Sequence, residues 1–355
     1  MRFFSVLFLT LLIGLESFAQ KYTLEAKRGV LPNNYNYWVC TPPDYASKKV
    51  VDTLQSLDSV QKKYPLVVFL HGASLCGRDL NRVRRYGCIH AIGMGRDINA
   101  VVVAPQNPGG AWNPKKISDI MDWTKENYNV DTNRIYVLGM SLGGYGTIDF
   151  CATYPEKVAA AMALCGGSSG QGDISNLGKV PLWIIHGTAD RAVGISNSKV
   201  IVSRLESENK DSLLLYTWLQ GGSHGAPARL FYMQRTYDWL FSHSLNDSVR
   251  CVNKDYSVSM ADLTHAYENL SRTQNRLSVV DHNTDTKTSS TASIYRSKPL
   301  NVDYSNCEVW VVKQGDVLVN IARSTKTTVE NICRLNGISK NTTLRIGQKL
   351  KIMEK

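Results

Sequence analysis

Between residues 21 and 244, six short apolar runs recur with room for a helix between successive ones, and this alternation constrains the fold more than any other feature of the chain. The runs are 66–70 (LVVFL), 100–104 (AVVVA), 134–138 (RIYVL), 158–164 (VAAAMAL), 182–185 (LWII) and 213–219 (LLLYTWL). Continuous apolar runs of this length are what strands buried on both faces require. Amphipathic stretches at 117–127, 144–154, 197–208 and 228–242 supply the helices that cover such a sheet. In the last, Leu230, Met233, Tyr237 and Leu240 recur at a helical period and face a core. The pattern predicts an α/β fold, a mostly parallel sheet with helices on both faces.

One junction carries the chemistry. The run ending at Leu138 passes into Gly139-Met140-Ser141-Leu142-Gly143, and a helix-compatible segment follows at once. A serine on a sharp strand-to-helix turn flanked by glycines is a nucleophile elbow, which lifts the hydroxyl above the sheet edge. A serine hydroxyl is a poor nucleophile until a base takes its proton, so a histidine and an orienting acid must follow it in the chain. The 182–185 run continues into His186-Gly187-Thr188-Ala189-Asp190, which presents Asp190 beyond a strand end. By order alone His224, His243, His265 and His282 all qualify as the base. His224 is preferred, because Gly221-Gly222-Ser223-His224-Gly225 is a flexible loop just after the 213–219 strand, whereas His243 ends a helix and the others fall in the tail. Asp173 and Asp211 lack a strand end to present them.

The same chemistry needs hydrogen-bond donors aimed at the developing oxyanion. The backbone N–H of Leu142 is one candidate, and the loop after the 66–70 strand, His71-Gly72-Ala73, holds the other: Ala73, with Gly72 as the alternative. His71 is read as a brace for this loop and His186 as a satisfied strand-end histidine. Trp112, in a Pro- and Gly-rich loop after the 100–104 strand, either lines the substrate pocket or plugs its loop. Asp122 and Glu126 at i, i+4 read as a solvated helix face. This mechanism calls for no metal and no organic cofactor.

Together, Tyr64-Pro-Leu-Val-Val-Phe-Leu-His-Gly-Ala73, Val103-Ala-Pro-Gln106, Gly139-Met-Ser-Leu-Gly-Gly-Tyr-Gly146, His186-Gly-Thr-Ala-Asp190 and Gly222-Ser-His224 resemble an α/β-hydrolase. The likeness is to the secreted esterase branch that includes feruloyl and acetyl xylan esterases, polyhydroxybutyrate depolymerases and related peptidases. The likeness implies a Ser141–His224–Asp190 triad working through an acyl-enzyme on an ester-bearing substrate, with polysaccharide-linked esters among the candidates. Ser74 stands where relatives often carry a further glycine, and Cys76 and Cys88 follow closely, with a disulfide between them as one conjecture. A serine peptidase on the same scaffold, or a wall-binding protein with a non-catalytic hydrolase domain, are the rival readings.

After residue 244 the composition changes. A helix is expected around 259–277, and 281–306, rich in Ser, Thr, Asp and Asn, reads as a linker. Apolar periodicity then returns: Val309-Trp-Val-Val-Lys-Gln-Gly-Asp316, Asn331-Ile-Cys-Arg-Leu-Asn-Gly337 and Leu344-Arg-Ile-Gly-Gln-Lys-Leu-Lys-Ile352 resemble a LysM module, a small α+β unit of strand, two helices and strand. The resemblance implies binding to peptidoglycan or a chitin-like glycan through Gly315, Asp316, Val317 and Leu318 and through Asn336, Gly337, Ile338 and Ser339. Cys307 and Cys333 are a candidate staple. The expected division is a signal peptide over 1–19, a catalytic domain over 20–244, a linker over 245–306 and LysM over 307–355.

The signal peptide is read from Met1-Arg2, a predominantly apolar thirteen-residue stretch from Phe3 to Leu15 and the small residues around Ala19, a stretch too short to span a bilayer. Export, periplasmic or extracellular, makes disulfides among the eight cysteines permissible, while Cys151 and Cys165 lie in apolar runs and read as buried small hydrophobes. The net charge of +11 is shared: residues 307–355 carry nine Lys/Arg against four Asp/Glu, and 245–306 balance at seven each. Without a concentrated basic run, and with export, nucleic acid is not an expected partner. Anionic wall polymers account for the sign equally well.

Overall fold

The computed structural model describes residues 21–46, 62–273, 275–281, 307–313, 316–336, 338, 344 and 348–354. The signal peptide, the 282–306 part of the linker, Gly315, Gly337 and Ser339 lie outside the described residues. The chain divides into two compact units near residue 285.

In the first unit, nine strands among the described residues form one sheet: β1 (Tyr22–Lys27), β2 (Tyr37–Thr41), β3 (Tyr64–Leu70), β4 (Val101–Pro105), β5 (Val130–Met140), β6 (Ala160–Leu164), β7 (Leu182–Gly187), β8 (Leu214–Leu219) and β9 (Leu277–Val280). Their order is β8-β7-β6-β5-β3-β4-β2-β1-β9. From β4 through β8 neighbouring strands are parallel, and β2 runs antiparallel to both β1 and β4. Alternating residues of β3 serve the two faces. Val67 and Phe69 pack with helix α1 (Cys88–Gly93) and helix α5 (Gln234–Phe241). Leu66, Val68 and Leu70 pack with α2 (Pro114–Asn127), α3 (Leu142–Thr153) and α4 (Ser196–Ser207). Two buried faces explain why these strands read as unbroken apolar runs. The architecture is that of an α/β-hydrolase.

The chain moves from β3 outward to β4, then returns to the other side of β3 as β5 and continues to β8. Strand order thus reverses between β3 and β5, and the crevice at the carboxyl ends of such a pair is where open α/β sheets bind ligands. Those two strands end at Leu70 and Met140, immediately before His71-Gly72-Ala73 and Ser141.

Several expectations need correction. The 228–242 helix is broken: a 3-10 segment covers Ala226–Tyr232, Met233 is extended, and α5 follows. The stretch from 245 to 281 is part of the first unit and not a linker. Val252, Val258, Leu263 and Ala266 are buried in the main core, and the Arg250 guanidinium bonds the carbonyls of Val158, Ala159 and Lys179. The helix expected at 259–277 is reduced to a 3-10 turn, Asp262–His265, and β9 then pairs in parallel with β1. Arg28 grips Asp281 through two hydrogen bonds of 3.2 and 2.9 Å and ties β1 to the end of β9. Cys76 and Cys88 are free thiols, the latter buried, so the conjectured disulfide is not formed.

The second unit is a two-stranded antiparallel sheet, β10 (Cys307–Val311) with β11 (Lys349–Glu354), and two helices, α6 (Leu318–Ser324) and α7 (Val329–Asn336). Val312, Leu318, Ile321, Ile332, Leu350 and Ile352 form its core. Cys333 is a free, buried thiol, and the Cys307 side chain lies outside the described residues. Among the described residues no helix is long and apolar enough to cross a membrane.

Candidate active site

Ser141 sits at the β5–α3 junction with φ 58° and ψ −122°, outside the regions a non-glycine residue ordinarily occupies. Such strain costs about 1–3 kcal/mol and persists only where the surroundings over-determine it. Here they do. The Ser141 N–H bonds Leu164 O at 2.8 Å, and its carbonyl receives the Tyr145 N–H at 3.0 Å. The flanking glycines are demanded by crowding. A Cβ on Gly139 would lie 2.3 Å from Gly143 O, and one on Gly143 would lie 1.9 Å from Leu70 O. The turn therefore presses against the end of β3 and brings Ser141 beside the Gly72 loop.

The partners arrive from β7 and β8. His224 Nδ1 is 2.7 Å from Asp190 Oδ2, so the ring is oriented by the acid and its other nitrogen is left for the cavity that His224 lines. Asp190 Oδ1 accepts the N–H groups of Ala192 and Val193, each at 2.9 Å. Burial opposes ionisation of Asp190. The Val193 N–H, the His224 imidazole, the Ala192 N–H and the Cys165 thiol outweigh it and hold the carboxyl below its ordinary range. The two loops meet because β7 and β8 are paired and a Cβ on Gly187 would lie 2.2 Å from Gly222 O.

His186 and Cys165 also reach Asp190, and one donor atom from each of the three residues falls within 4.8 Å of the others. These atoms are engaged. His186 Nε2 lies 2.9 Å from Val193 O and 3.2 Å from Asp190 Oδ2, its Nδ1 lies 2.8 Å from Ser198 Oγ, and Cys165 Sγ contacts His224 O at 3.6 Å. They form the hydrogen-bonding surroundings of the acid. His186 is a satisfied strand-end side chain, as expected, but its contact with Asp190 was not foreseen; the four-residue spacing of His186 and Asp190 was the available signal.

At the other wall, Gly72 caps a 3-10 turn, Ala73–Leu75. The Gly72 N–H donates to the Tyr86 hydroxyl at 2.5 Å, so of the two N–H groups considered in this loop Gly72 is already engaged. Further bonds brace this loop: Gln106 Nε2 to Leu75 O at 2.7 Å, Arg82 Nη2 to Ser74 O at 2.9 Å and Gly77 N to Asn107 O at 3.1 Å. His71 is buried beneath it. Its Nε2 accepts the Asn107 N–H at 3.0 Å, which places the proton on Nδ1, 2.8 Å from Gly72 O. Burial pushes the His71 pKa down to about 4.

That shift carries a pH prediction. The unfolded imidazole binds a proton below about pH 6.5 while the folded one resists it to about pH 4, so stability falls as pH drops through this window. The shift corresponds to about 3 kcal/mol. His71→Asn removes the titration, and its denaturant-derived stability should vary less with pH between 6.5 and 4 than that of the parent. Parallel pH profiles for the two proteins would show that His71 does not govern acid sensitivity.

A cavity of about 610 Å³ joins these walls, lined by Ala73, Ser141, Leu142 and His224 together with Tyr86, Met140, Tyr145, Val193 and Ala228. Leu142 begins α3, so its N–H is one of the helix's unpaired donors at the edge of this cavity. Trp112 is not part of it. The indole is 1% exposed, donates from Nε1 to His71 O at 3.2 Å, stacks edge-on with Tyr35 and His71, and fills the space a Cβ on Gly146 would need. It plugs the core beneath the site. Tyr86 was missed, since no pattern in the 76–88 loop marks a residue that folds back onto Gly72.

In the LysM unit, the expected glycan contacts separate. Leu318 is buried in the core and is corrected to a packing residue. Asn336 uses its amide on the Ile332 and Lys351 carbonyls and the Lys351 N–H, which fastens α7 to β11, and Ile338 packs on the core. The Asp316 carboxylate accepts from the Trp310 indole and the Lys313 N–H, each at 2.8 Å. Val317 stands out to solvent at 53% exposure.

Comparison with known proteins agrees with both units. The Dienelactone hydrolase family matches residues 110–225 and the LysM domain matches residues 311–352, so the chain carries a domain of each kind. Acetylxylan esterase A of Emericella nidulans is 38% identical over 74 residues, 21% of this chain and 24% of that protein. An uncharacterized lipoprotein of Escherichia coli, YgeR, is 52% identical over 44 residues, 12% of this chain and 18% of that protein. The chain thus spans about a quarter or less of the length of these relatives. Among solved structures, a thermostable esterase superposes with a TM-score of 0.49 and 28% identity over 64% of each chain. A feruloyl esterase module from Clostridium thermocellum gives 0.47 and 15%, covering 66% of this chain and 92% of that one.

Proposed function

We propose that this chain is an exported carboxylic ester hydrolase that works through a serine acyl-enzyme and is held at a glycan surface by its LysM unit. The observation that carries the reading is the His224 Nδ1 to Asp190 Oδ2 bond of 2.7 Å in a cavity that Ser141 and His224 both line. In the mechanism, Ser141 Oγ attacks the acyl carbonyl while His224 Nε2 takes its proton and Asp190 stabilises the imidazolium. The N–H groups of Leu142 and Ala73 receive the oxyanion. Collapse expels the alcohol, which takes its proton from His224, and water then attacks the acyl-enzyme with His224 as base. The apolar side chains of Met140, Leu142, Tyr145 and Val193 on the cavity wall suit the apolar part of an ester substrate. The acetylxylan esterase relatives make an ester on a plant-type polysaccharide the first substrate class to try.

The test is a panel of 4-nitrophenyl, acetylated-xylan and feruloylated-arabinoxylan esters run beside peptide amides, with fluorophosphonate labelling of Ser141. Ester turnover and labelling that both vanish in Ser141→Ala are expected. Cleavage of amides in preference to esters would make the protein a peptidase, and no labelling at all would make the domain a scaffold.

For the LysM unit, the proposed ligand is peptidoglycan or a chitin-like glycan. Protein truncated before residue 307 should lose retention on insoluble peptidoglycan or chitin while keeping turnover of a small ester. Equal retention of the truncated and full chains would remove the anchoring role.

A further inference from the structure

We propose that the Tyr86 hydroxyl is a third donor to the oxyanion, a side-chain partner to the two backbone N–H groups. The inference rests on the ester hydrolase reading and deepens it. Tyr86 belongs to the loop that leaves β3, crosses away and folds back fourteen residues later, so that its hydroxyl meets the Gly72 N–H at 2.5 Å. Its ring is held between Phe69 and Phe231, with centroid separations of 5.9 and 6.4 Å, which sets the direction in which the hydroxyl points.

The geometry at Gly72 locates that hydroxyl relative to the nucleophile. A Cβ built on Gly72 would lie 2.9 Å from the Tyr86 oxygen and 3.3 Å from Ser141 Cβ. The two atoms are therefore at most 6.2 Å apart. An oxyanion bonded through the acyl carbon to Ser141 Oγ, with a donor about 2.7–3.1 Å away, fits inside that separation. Tyr86 and Ser141 also line the same cavity.

Proton counting gives the direction of the bond. The Tyr86 oxygen accepts the Gly72 N–H, so its own hydrogen must be given to another acceptor. Ser74 and Tyr86 line the same cavity as Ser141. An oxyanion is a far stronger acceptor than any neutral hydroxyl, and the phenol hydrogen is given to it as charge develops. Burial raises the Tyr86 pKa, so the phenol keeps its proton and stays a donor throughout the neutral range. The same hydroxyl holds Gly72 in place, next to Ala73 on the cavity wall. The reaction gains a donor that strengthens only as the tetrahedral intermediate forms, the kind of contact that raises kcat without tightening substrate binding.

The experiment compares Tyr86→Phe with the full-length parent, using 4-nitrophenyl acetate turnover, the rate of fluorophosphonate labelling and affinity for an arylboronic acid that forms a tetrahedral adduct on Ser141. The expected result is a kcat lower by about 10²-fold with KM nearly unchanged, and a parallel loss in labelling rate and boronate affinity. A Phe variant that keeps the parental kcat, while Ser141→Ala is inactive, overturns the proposal and leaves the hydrolase reading standing. A Phe variant that unfolds, or whose melting temperature, kcat and KM all shift together, makes Tyr86 a brace for the Gly72 loop and overturns it equally. A parent that neither turns over esters nor takes the label removes the hydrolase reading, and this inference with it.

Discussion

Ser141→Ala should lower ester turnover by at least about 10⁴-fold and leave the folded state intact, because a serine nucleophile removed from a triad costs close to the whole chemical contribution of that triad. The substitution deletes one oxygen at the end of β5 and keeps the backbone, so its stability cost should stay within about 1 kcal/mol. The strained φ of 58° is imposed by contacts that remain, namely the Ser141 N–H bond to Leu164 and the pressure of Gly143 on Leu70. His224→Ala should fall nearly as far. The double variant should be no slower than the worse of the two, since the base has no proton to take once the serine is gone. Steady-state rates on one ester, with circular dichroism to verify folding, check all three. More than about a hundredth of the parental rate in Ser141→Ala would assign the chemistry elsewhere.

Gly143→Ala should be the most damaging single change to the fold. The added methyl would stand 1.9 Å from Leu70 O, 2.5 Å from Leu70 C and 2.9 Å from His71 O, all backbone atoms with no rotamer to relieve the overlap. Either α3 moves off the sheet or the end of β3 gives way, and both carry the Ser141 turn or the Gly72 loop with them. A loss of more than about 3 kcal/mol follows from overpacking joined to broken elbow geometry. Gly225→Ala is the control. It sits at φ −79° with nothing within 4 Å of its Cβ position, so an alanine there should change stability by no more than about 0.5 kcal/mol. Urea midpoints of the two variants test the contrast, and equal midpoints would mean that the close approach at Gly143 relaxes freely.

Much of the central sheet was legible because each strand is buried on both faces. A run such as Val101-Val102-Val103 has no helical or alternating solution that satisfies its surroundings as well. The elbow was legible for a related reason: the glycines at 139 and 143 are required by contacts that any strand-turn-helix of this sharpness creates. The edge strands were not. β1 alternates buried and partly exposed residues, and β9 is four residues long, held by parallel pairing with a strand some 250 positions earlier. Backbone hydrogen bonds of that kind leave no mark in side-chain periodicity, and the residues from 245 to 281 were read as a linker for that reason. Trp112 was ambiguous because a tryptophan in a glycine-rich loop fits a pocket wall and a core plug equally. The indole bond to His71 and the space over Gly146 decided it.

The sequence by itself determined the order Ser141, Asp190, His224 and the local turn that each would occupy, since a strand end, a glycine and a short loop are written within a few residues. It also determined the two-unit plan, through the collapse of apolar periodicity before residue 307 and its return. Tertiary structure alone decided which strand ends meet. β3 and β5 are neighbours through pairing between residues some seventy positions apart, and only that pairing sets the Gly72 loop against Ser141. It also decided how the donors are shared: Gly72 engaged by Tyr86, Asp190 among Ala192, Val193 and His224, and Trp112 withdrawn beneath the site. The physical reason is common to all of these. A hydrogen bond between distant segments has its partner chosen by packing, and packing is a property of the whole core.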